Sequence, residues 1–129
     1  GLGAPYWNQY ARGMITGVTR GFSRAHLVRA TLESIAYQTC DICKAMENDA
    51  LVPLTRLKVD GGASANDFLM RFQADILGAE VVRPKCIDDV RASWETETVF
   101  SPWMDEAHRD ALLKGWSKAV RTALLWAED

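Results

Sequence analysis

The sequence has few of the residues that disulfide-rich and zinc-binding proteins need. It contains three cysteines and two histidines among 129 residues. Cys40 and Cys43 form a single CxxC pair, without a second pair and without a histidine at zinc-ligand spacing. We therefore predict no metal site and no disulfide framework in this chain, and we interpret the cysteines as reduced thiols of a cytoplasmic protein.

Long apolar runs and a dominant charge are also absent. No run approaches the roughly 18 residues that span a bilayer, and the first residues lack the order of a signal peptide. The 15 basic and 17 acidic residues are interspersed and give a formal net charge of -2, without the basic stripe of a nucleic-acid binder. The sequence thus predicts a cytoplasmic protein that binds neither membranes nor nucleic acid.

Residues 1–8 predict a packed loop, and a strand and a long helix are predicted behind it. The chain opens on GLGAPYW without a methionine, and we expect from this turn-rich apolar start a fragment of a longer protein. Residues 12–21 alternate as a strand would, and Ser23 is placed to cap a helix over 24–48. The predicted buried stripe of that helix consists of Val28, Leu32, Ile35, Ala36, Thr39, Cys43 and Met46.

The middle of the chain predicts an α/β fold. A short strand at 57–59 leads through a turn into a helix from about 65 to 77, which Gly78 ends. A further strand follows at 80–83. This strand–helix–strand order is typical of two parallel strands joined by a right-handed crossover.

The last third predicts mostly helix. A short helix is expected at 87–94 and an extended segment at 95–102, and Asp105 is placed to cap a final amphipathic helix. Four of the five tryptophans fall in this third, so we expect it to pack heavily. The predicted buried stripe of the final helix consists of Leu112, Trp116, Ala119, Val120, Ala123 and Ala127.

The turn Asp60-Gly61-Gly62 is the stretch most indicative of function. Glycines between a strand and a helix let the backbone take positive φ and let a flat ligand lie directly on the main chain, where helix amides favour anions and nucleotides. Asn66, one turn later, is placed to reach such a ligand with its amide. The same residues also fit an ordinary tight turn, and they match neither GxGxxG nor the phosphate loop. The pattern alone leaves both interpretations open.

Other chemically reactive residues indicate structure rather than function. The CxxC pair falls inside a predicted helix, which favours two packed thiols over a redox pair. His26 and His108 are expected on the surface, and Asp88 and Asp89 point apart on a helix. No GxSxG motif supports a serine nucleophile. We therefore predict no catalytic residue in this sequence.

Three runs of sequence resemble one known family. They are GLGAPYWNQYARGMITGVTRG, HLVRATLESIAYQT and VDGGASANDFLMRFQADILG, and they resemble the glycerol kinases of the FGGY family of carbohydrate kinases. The residues that match the second signature of that family are Gly13, Ile15, Gly17, Val18, His26, Leu27, Ala30, Thr31, Leu32 and Glu33. The resemblance covers residues 1–84, and the final GWSKAVRTALLWAED is similar to the family's last helix.

The resemblance implies a nucleotide-binding role for the glycine turn. In this family the turn is the adenosine motif of the actin and hexokinase superfamily, whose halves have a ribonuclease-H-like core. We therefore expect an incomplete, helix-rich C-terminal half with a few strands, in which Gly61, Gly62 and Ala63 lie against adenine and ribose and Asn66 lies near the base. The resemblance also implies ATP and Mg²⁺ as cofactors of the full-length enzyme, with Glu33 as a structural partner rather than a catalytic acid.

Two departures from the family matter. The N-terminal domain with the glycerol contacts, and the segment with the catalytic aspartate and phosphate-binding turns, have no counterpart in this sequence. In addition, the family continues after 83–85 into an alanine- and glycine-rich helix, whereas here the chain passes directly into Cys86. We therefore interpret residues 1–129 as a partial FGGY kinase C-terminal domain with an internal deletion after about residue 85. Such a deletion would uncover an apolar sheet face, which dimerisation could relieve.

Two functional hypotheses follow. In the first, the chain is the ATP-binding portion of a glycerol kinase that phosphorylates glycerol to glycerol 3-phosphate when complete, while the piece alone is inactive. In the second, the piece is a non-enzymatic folding or oligomerisation fragment that binds no nucleotide. A homo-oligomer fits either. A small thiol-redox domain built on the CxxC pair is a third, weaker alternative.

Overall fold

The computed structural model describes residues 1–84 and 97–127. The elements in this part of the chain are, in order, α1 (Arg24–Ala50), β1 (Arg56–Lys58), a short 3₁₀ helix (Gly62–Ala65), α2 (Asp67–Leu77), β2 (Glu80–Pro84), β3 (Glu97–Phe100) and α3 (Glu106–Leu125). The strands form one sheet in the order β1-β2-β3, with β1 parallel to β2 and β3 antiparallel to it. The predicted α/β class and the parallel pair are thus confirmed.

Some predictions concern residues outside the described part of the chain. They are the helix predicted at 87–94, Cys86, the Asp88–Asp89 pair, Trp94 and the junction after residue 85. Within the described part of the chain, no helix is both long and apolar enough to cross a membrane.

Helix α1 begins where the sequence predicts. Ser23 is the N-cap with an extended backbone, and its main-chain N–H donates to Nδ1 of His26 at 3.1 Å. The Ser23 hydroxyl lies 2.8 Å from the same nitrogen. The helix ends at Ala50, and its C-cap Leu51 takes a left-handed conformation with φ 55°. His26 is exposed, as predicted. Its side chain also accepts the hydrogen bond from Ser23 that closes the first turn of the helix.

The buried face of α1 differs from the predicted stripe. The buried residues are Ala36, Tyr37, Cys40 and Cys43, so only Ala36 and Cys43 were assigned correctly as buried. Val28, Ile35 and Met46 are between 43% and 64% exposed. The helix carries two apolar faces, and α2 packs on the one where Ala36 and Cys40 allow a close approach. Hydrophobic spacing alone does not say which of two such faces meets a partner.

Residues 12–21 are not a strand. They run without a regular hydrogen-bonded element, and Ile15 and Val18 are exposed. The alternating pattern is present, but a strand exists only when another strand satisfies its backbone groups. Among the described residues, none of the three strands pairs with this segment.

Helix α2 lies between α1 and the sheet. Asn66 caps it by accepting from the N–H of Leu69 at 3.1 Å, and Gly78 ends it with φ 67°. The predicted Gly78 terminus is confirmed, and the helix starts two residues later than expected. Its buried residues join those of α1 and the sheet in one core, which consists of Ala36, Tyr37, Cys40, Leu69, Met70, Phe72, Ala74, Ile76, Val81 and Phe100.

Helix α3, the last helix in the sequence, packs against this core. Asp105 caps it as predicted, with Oδ1 accepting from the N–H of His108 at 2.9 Å. Its predicted stripe is confirmed as the inward face, with Val120 and Ala123 buried. The expectation that the tryptophans pack heavily is wrong for Trp103, which is 90% exposed, and for Trp126. Trp103 precedes α3 and Trp126 is its C-cap, so neither belongs to the inward face of the helix.

Asp41 joins three parts of the fold. Its Oδ2 accepts from the hydroxyl of Tyr6 at 2.8 Å and from Nε1 of Trp116 at 2.6 Å. The indole of Trp116 also stacks on the ring of Tyr37, with centroids 5.2 Å apart. One carboxylate on α1 therefore anchors both the N-terminal segment and α3.

We expect Asp41→Ala to lower the free energy of unfolding by about 1–3 kcal/mol, because two partly buried donors lose a charged acceptor. Asp49→Ala, at an exposed position near the end of the same helix, is the matched control and should change stability by less than about 0.5 kcal/mol. Urea unfolding followed by circular dichroism measures both. Equal effects of the two substitutions would contradict the anchoring role of Asp41.

Two tyrosines make the fold sensitive to alkali. Burial, aided by Asp41, raises the pKa of Tyr6 to about 12, and burial beside Glu33 raises the pKa of Tyr37 to about 12. Because an unfolded tyrosine ionises near pH 10, the unfolded state loses its proton first, and stability should fall as the pH rises from about 10 to 12. Tyr6→Phe and Tyr37→Phe should each flatten this slope in unfolding titrations. Tyr10→Phe, at an exposed position, should leave it unchanged.

Candidate nucleotide site

The predicted site lies at the corner where β1 leads into α2. Beyond β1 the pairing with β2 continues for one bond, from the N–H of Val59 to the carbonyl of Val82 at 2.9 Å. The chain then turns at Asp60 and Gly61 and enters the 3₁₀ helix, which ends at the N-cap of α2. The strand, the turn and the helix therefore occur in the predicted order, with the 3₁₀ turn as an addition.

Gly61 requires its glycine. Its backbone has φ 86° and ψ 174°, a region that residues with a Cβ essentially do not occupy. The carboxylate of Asp60 accepts from the N–H of Gly61 at 2.6 Å and holds the turn. Both predicted features of the stretch, an Asp-stabilised turn and a positive-φ glycine, are thus present at once.

The outer side of the corner is bare main chain. Gly61, Gly62, Ala63 and Asn66 are all exposed, and a Cβ added at Gly61 or Gly62 would meet nothing within 4 Å. Among the described residues, the N–H groups of Gly62 and Ala63 have no acceptor. A flat molecule can therefore approach the backbone here and find two hydrogen-bond donors.

The inner side of the corner is firmly held. Ser64 is buried, and its hydroxyl donates to the carbonyl of Gly61 at 2.7 Å. Nη1 of Arg83, on β2, donates to the carbonyl of Ser64 at 2.6 Å and to Oδ1 of Asp67 at 2.9 Å. The Arg83 guanidinium also lies 5.3 Å from the centre of the Phe100 ring.

Ser64 and Arg83 are positioning residues that the sequence interpretation missed. A serine two residues after a glycine pair is a common turn-stabilising residue and was detectable from the pattern. The role of Arg83 was not detectable from the pattern, because it depends on β2 lying beside β1 and on the Phe100 ring that β3 contributes.

The oxygen and the nitrogen of the Asn66 side-chain amide differ in their hydrogen bonding. Oδ1 is occupied by the cap of α2, as the ordinary-turn interpretation expects. The amide nitrogen has no partner among the described residues, and the side chain is exposed. The capping bond orients the side chain and leaves a donor on the same surface as the two glycines.

The cysteines do not form a redox site. Burial raises the pKa of the Cys40 and Cys43 thiols, the opposite of what a redox pair needs. Cys40 instead donates to the carbonyl of Ile76 at 3.7 Å. In the part of the chain that the structure describes, no three His, Cys, Asp or Glu side chains are grouped so that they could hold a metal ion.

Residues 1–92 match the family model for the C-terminal domain of the FGGY family of carbohydrate kinases. The chain belongs to this family. The match includes the whole glycine corner and both helices that flank it in sequence, so the predicted resemblance is confirmed.

Curated proteins similar to this chain include glycerol kinases. The chain is 53% identical to a glycerol kinase of Lachnoclostridium phytofermentans over 150 residues, covering 100% of this chain and 30% of that protein. It is 48% identical to glycerol kinase 2 of Sulfolobus acidocaldarius, again covering 30% of the relative. The chain therefore resembles the C-terminal part of glycerol kinases and spans about a third of their length.

The fold agrees with a solved FGGY structure. A crystal structure of Plasmodium falciparum glycerol kinase with ADP superposes with a TM-score of 0.85 at 30% identity, over 96% of this chain and 29% of that chain. The helix-rich C-terminal half of an actin- and hexokinase-like fold, expected from the resemblance, is thereby confirmed.

The two neighbouring glycines should respond differently to the same substitution. Gly61→Ala forces a Cβ into the glycine-only region and should lower the free energy of unfolding by about 1–3 kcal/mol. Gly62→Ala, where φ is not positive and the Cβ position is open, should change it by less than about 0.5 kcal/mol. Chemical unfolding of both variants tests this, and a Gly62 variant as destabilised as the Gly61 variant would contradict the described backbone.

Proposed function

We propose that this chain is the C-terminal, ATP-binding portion of a glycerol kinase, which transfers a phosphoryl group from ATP to glycerol when the protein is complete. The observation that carries the proposal is the open main-chain surface at Gly61 and Gly62, held from below by Ser64 and Arg83. The glycerol kinase names of the relatives supply the acceptor and the reaction.

In this proposal the nucleoside rests on the corner. Gly61, Gly62 and Ala63 lie against adenine and ribose, since the two glycines have no side chain, Ala63 has only a methyl group, and the space above the glycines is open. The free amide nitrogen of Asn66 donates to an acceptor on the base. Because Oδ1 of Asn66 is engaged in the cap of α2, the donor is oriented before the nucleotide arrives.

The phosphoryl transfer itself requires parts that the described residues do not supply. The reaction needs a base for the attacking hydroxyl and Mg²⁺ to neutralise charge between the phosphates. The described residues contain no cluster of three metal-ligating side chains, so we assign no Mg²⁺ ligand to them, and we assign the base to none of them. We propose that both belong to the remainder of the protein, together with the glycerol contacts.

The internal deletion remains part of the proposal. The alignment to the Lachnoclostridium phytofermentans glycerol kinase extends over 150 residues, 21 more than the 129 residues of this chain, all of which it covers. The relative therefore has residues for which this chain has no counterpart. We place the deletion after about residue 85, where the sequence departs from the family pattern.

We also propose the compartment of the protein and its association with other chain. Two buried free thiols fit a reducing compartment, the cytoplasm. Exposed apolar side chains on α1 fit a protein that assembles with further chain or with itself. The same exposed surface supports the second candidate function, a non-enzymatic fragment that folds or oligomerises and binds no nucleotide.

Nucleotide binding discriminates the two functions. We would insert this chain in place of the matching part of the Lachnoclostridium phytofermentans glycerol kinase and measure the melting temperature of the chimaera with ADP. At a hundred times the dissociation constant, ADP should add about 2.7 kcal/mol of stability. No shift at millimolar ADP, with a normal shift in the unmodified relative, would favour the non-enzymatic fragment. Residues 1–129 alone should show no glycerol phosphorylation above a no-enzyme control.

A bulky side chain at residue 62 should weaken nucleotide binding without changing glycerol binding. In the chimaera we expect Gly62→Val to weaken ADP binding at least tenfold, because the isopropyl group occupies the nucleoside surface, while glycerol affinity stays nearly unchanged. Gly115→Val in α3, where an added Cβ also meets nothing within 4 Å, is the control and should preserve both affinities. Calorimetric titration with each ligand decides. Equal loss of both ligands in the Gly62 variant would indicate misfolding and contradict the assignment.

A further inference from the structure

Helices α1 and α2 and the start of α3 line a cleft of about 500 Å³, which we call the helix cleft. Its lining includes His26 and Glu33 of α1, Phe68 and Asp75 of α2, and His108 of α3. A volume of this order is typical of sites that bind small molecules. The described residues that line the cleft include none of the glycine corner. The helix cleft is therefore a second concave surface, separate in its residues from the proposed nucleotide site.

All three helices contribute apolar side chains to the helix cleft. Phe68 and Phe72, one turn apart on α2, stack with their ring centroids 6.2 Å apart. Phe72 is buried, whereas Phe68 is 40% exposed. Ala30 of α1 and Leu112 of α3 also line the cleft. Exposed aromatic and aliphatic groups in a concave surface offer contact area for the apolar part of a ligand.

Both carboxylates of the helix cleft are already engaged. Oε1 of Glu33 pairs with Nε of Arg29 at 2.6 Å. Oδ1 of Asp75 accepts from the main-chain N–H groups of Trp103 at 2.6 Å and Met104 at 3.0 Å. These contacts hold the two acids in place and stabilise their charges, so neither carboxylate depends on a bound cation.

Arg71 is the charged group of the helix cleft that has no counter-charge. Its guanidinium lies 5.7 Å from the centre of the Phe100 ring. In the part of the chain that the structure describes, it neither pairs with a carboxylate nor donates a hydrogen bond. Arg71 is also exposed. Because a guanidinium presents several donors in a planar fork, it can bind a carboxylate or a phosphate group with two parallel hydrogen bonds.

The two histidines of the helix cleft supply further donors. Nδ1 of His26 accepts from the N–H of Ser23 at 3.1 Å, which leaves Nε2 to carry the proton of the neutral ring. The His108 ring has no hydrogen-bond partner among the residues described. Each histidine therefore has a ring nitrogen that can contact an acceptor on a ligand.

We propose that the helix cleft binds a small amphipathic anion, which carries one carboxylate or phosphate group on an apolar body. The guanidinium of Arg71 receives the anionic group, and His26 and His108 add hydrogen bonds to it. Phe68, Phe72 and Leu112 contact the apolar body. The inference does not depend on the proposed kinase function, because it uses only residues that line the cleft.

The unpaired groups favour this ligand class over three others. A cation would find Glu33 and Asp75 occupied by the contacts described above. A neutral apolar molecule would cover the aromatic rings but leave Arg71 without an acceptor. A long polyanion such as nucleic acid needs a row of cations, whereas Arg71 is the one unpaired arginine among the described residues of this cleft.

Calorimetric titration of residues 1–129 with octanoate, octyl phosphate and octylamine tests the proposal. The three probes share an apolar chain and differ in the charged group. We expect octanoate and octyl phosphate to bind at one site per chain, at least tenfold more tightly than octylamine. Acetate and inorganic phosphate, which lack the chain, should also bind at least tenfold more weakly. The tighter of the two anions identifies the preferred anionic group. Equal affinity for octylamine, or no saturable binding of either anion, would overturn the proposal.

Two substitutions locate the binding. Arg71→Gln should weaken octanoate binding at least tenfold, because the fork that receives the carboxylate is lost. Arg121→Gln, at an exposed position on α3 outside the cleft, is the matched control and should leave the affinity unchanged. Ala30→Phe should also weaken binding at least tenfold by filling the cleft, whereas Ala111→Phe, exposed on α3, should not. Circular dichroism verifies that each variant is folded. Equal weakening by a variant and its control would contradict binding in this cleft.

The chimaera described above covers the case in which residues 1–129 do not fold alone. It contains the same helix cleft, and Arg71→Gln in the chimaera should again weaken octanoate binding at least tenfold. Saturating ADP should leave the octanoate affinity unchanged, because the cleft and the glycine corner share no residue. Displacement of octanoate by ADP, or no saturable octanoate binding to a folded chimaera, would overturn the proposal. Octanoate binding without ADP binding would refute the nucleotide site and support this one.

Discussion

The arrangement of this protein depends on one backbone conformation, the positive φ of Gly61. It lets the chain leave β1 and turn directly into the 3₁₀ helix and α2, so that α2 can lie back across the sheet. The same conformation leaves main-chain atoms uncovered on the outer side. The structural turn and the proposed nucleotide surface are therefore one feature, and a Cβ at Gly61 would disturb both.

The contacts beneath the turn fix its conformation. Ser64 and Arg83 bind the carbonyls of the turn, and Phe100 supports the arginine from the neighbouring strand. A bare loop without such support would have to be ordered by its ligand, at a cost in affinity. Here the turn is held by contacts from two strands that are distant in sequence, without any ligand.

Several features were predictable because they depend on local chemistry. The caps Ser23 and Asp105, the Gly78 terminus and the glycine turn each follow from residues within a few positions of one another. The inward face of α3 was also predictable, since that helix has a single apolar stripe. The buried face of α1 was not, because the helix has two stripes and only the position of α2 distinguishes them. The strand predicted at 12–21 failed for the same kind of reason, since its residues alternate as in a strand but no described strand pairs with it.

The sequence by itself determined where helices start and stop, where the backbone must bend at Gly61, and which family the chain resembles, because these depend on side-chain chemistry read over short spans. Tertiary structure alone decided that Arg83 supports the turn, that Asp41 joins the N-terminal segment to α3, and that one face of α1 is core while the other is open. These contacts join residues far apart in the chain. Their existence depends on packing between whole elements, which no local pattern encodes.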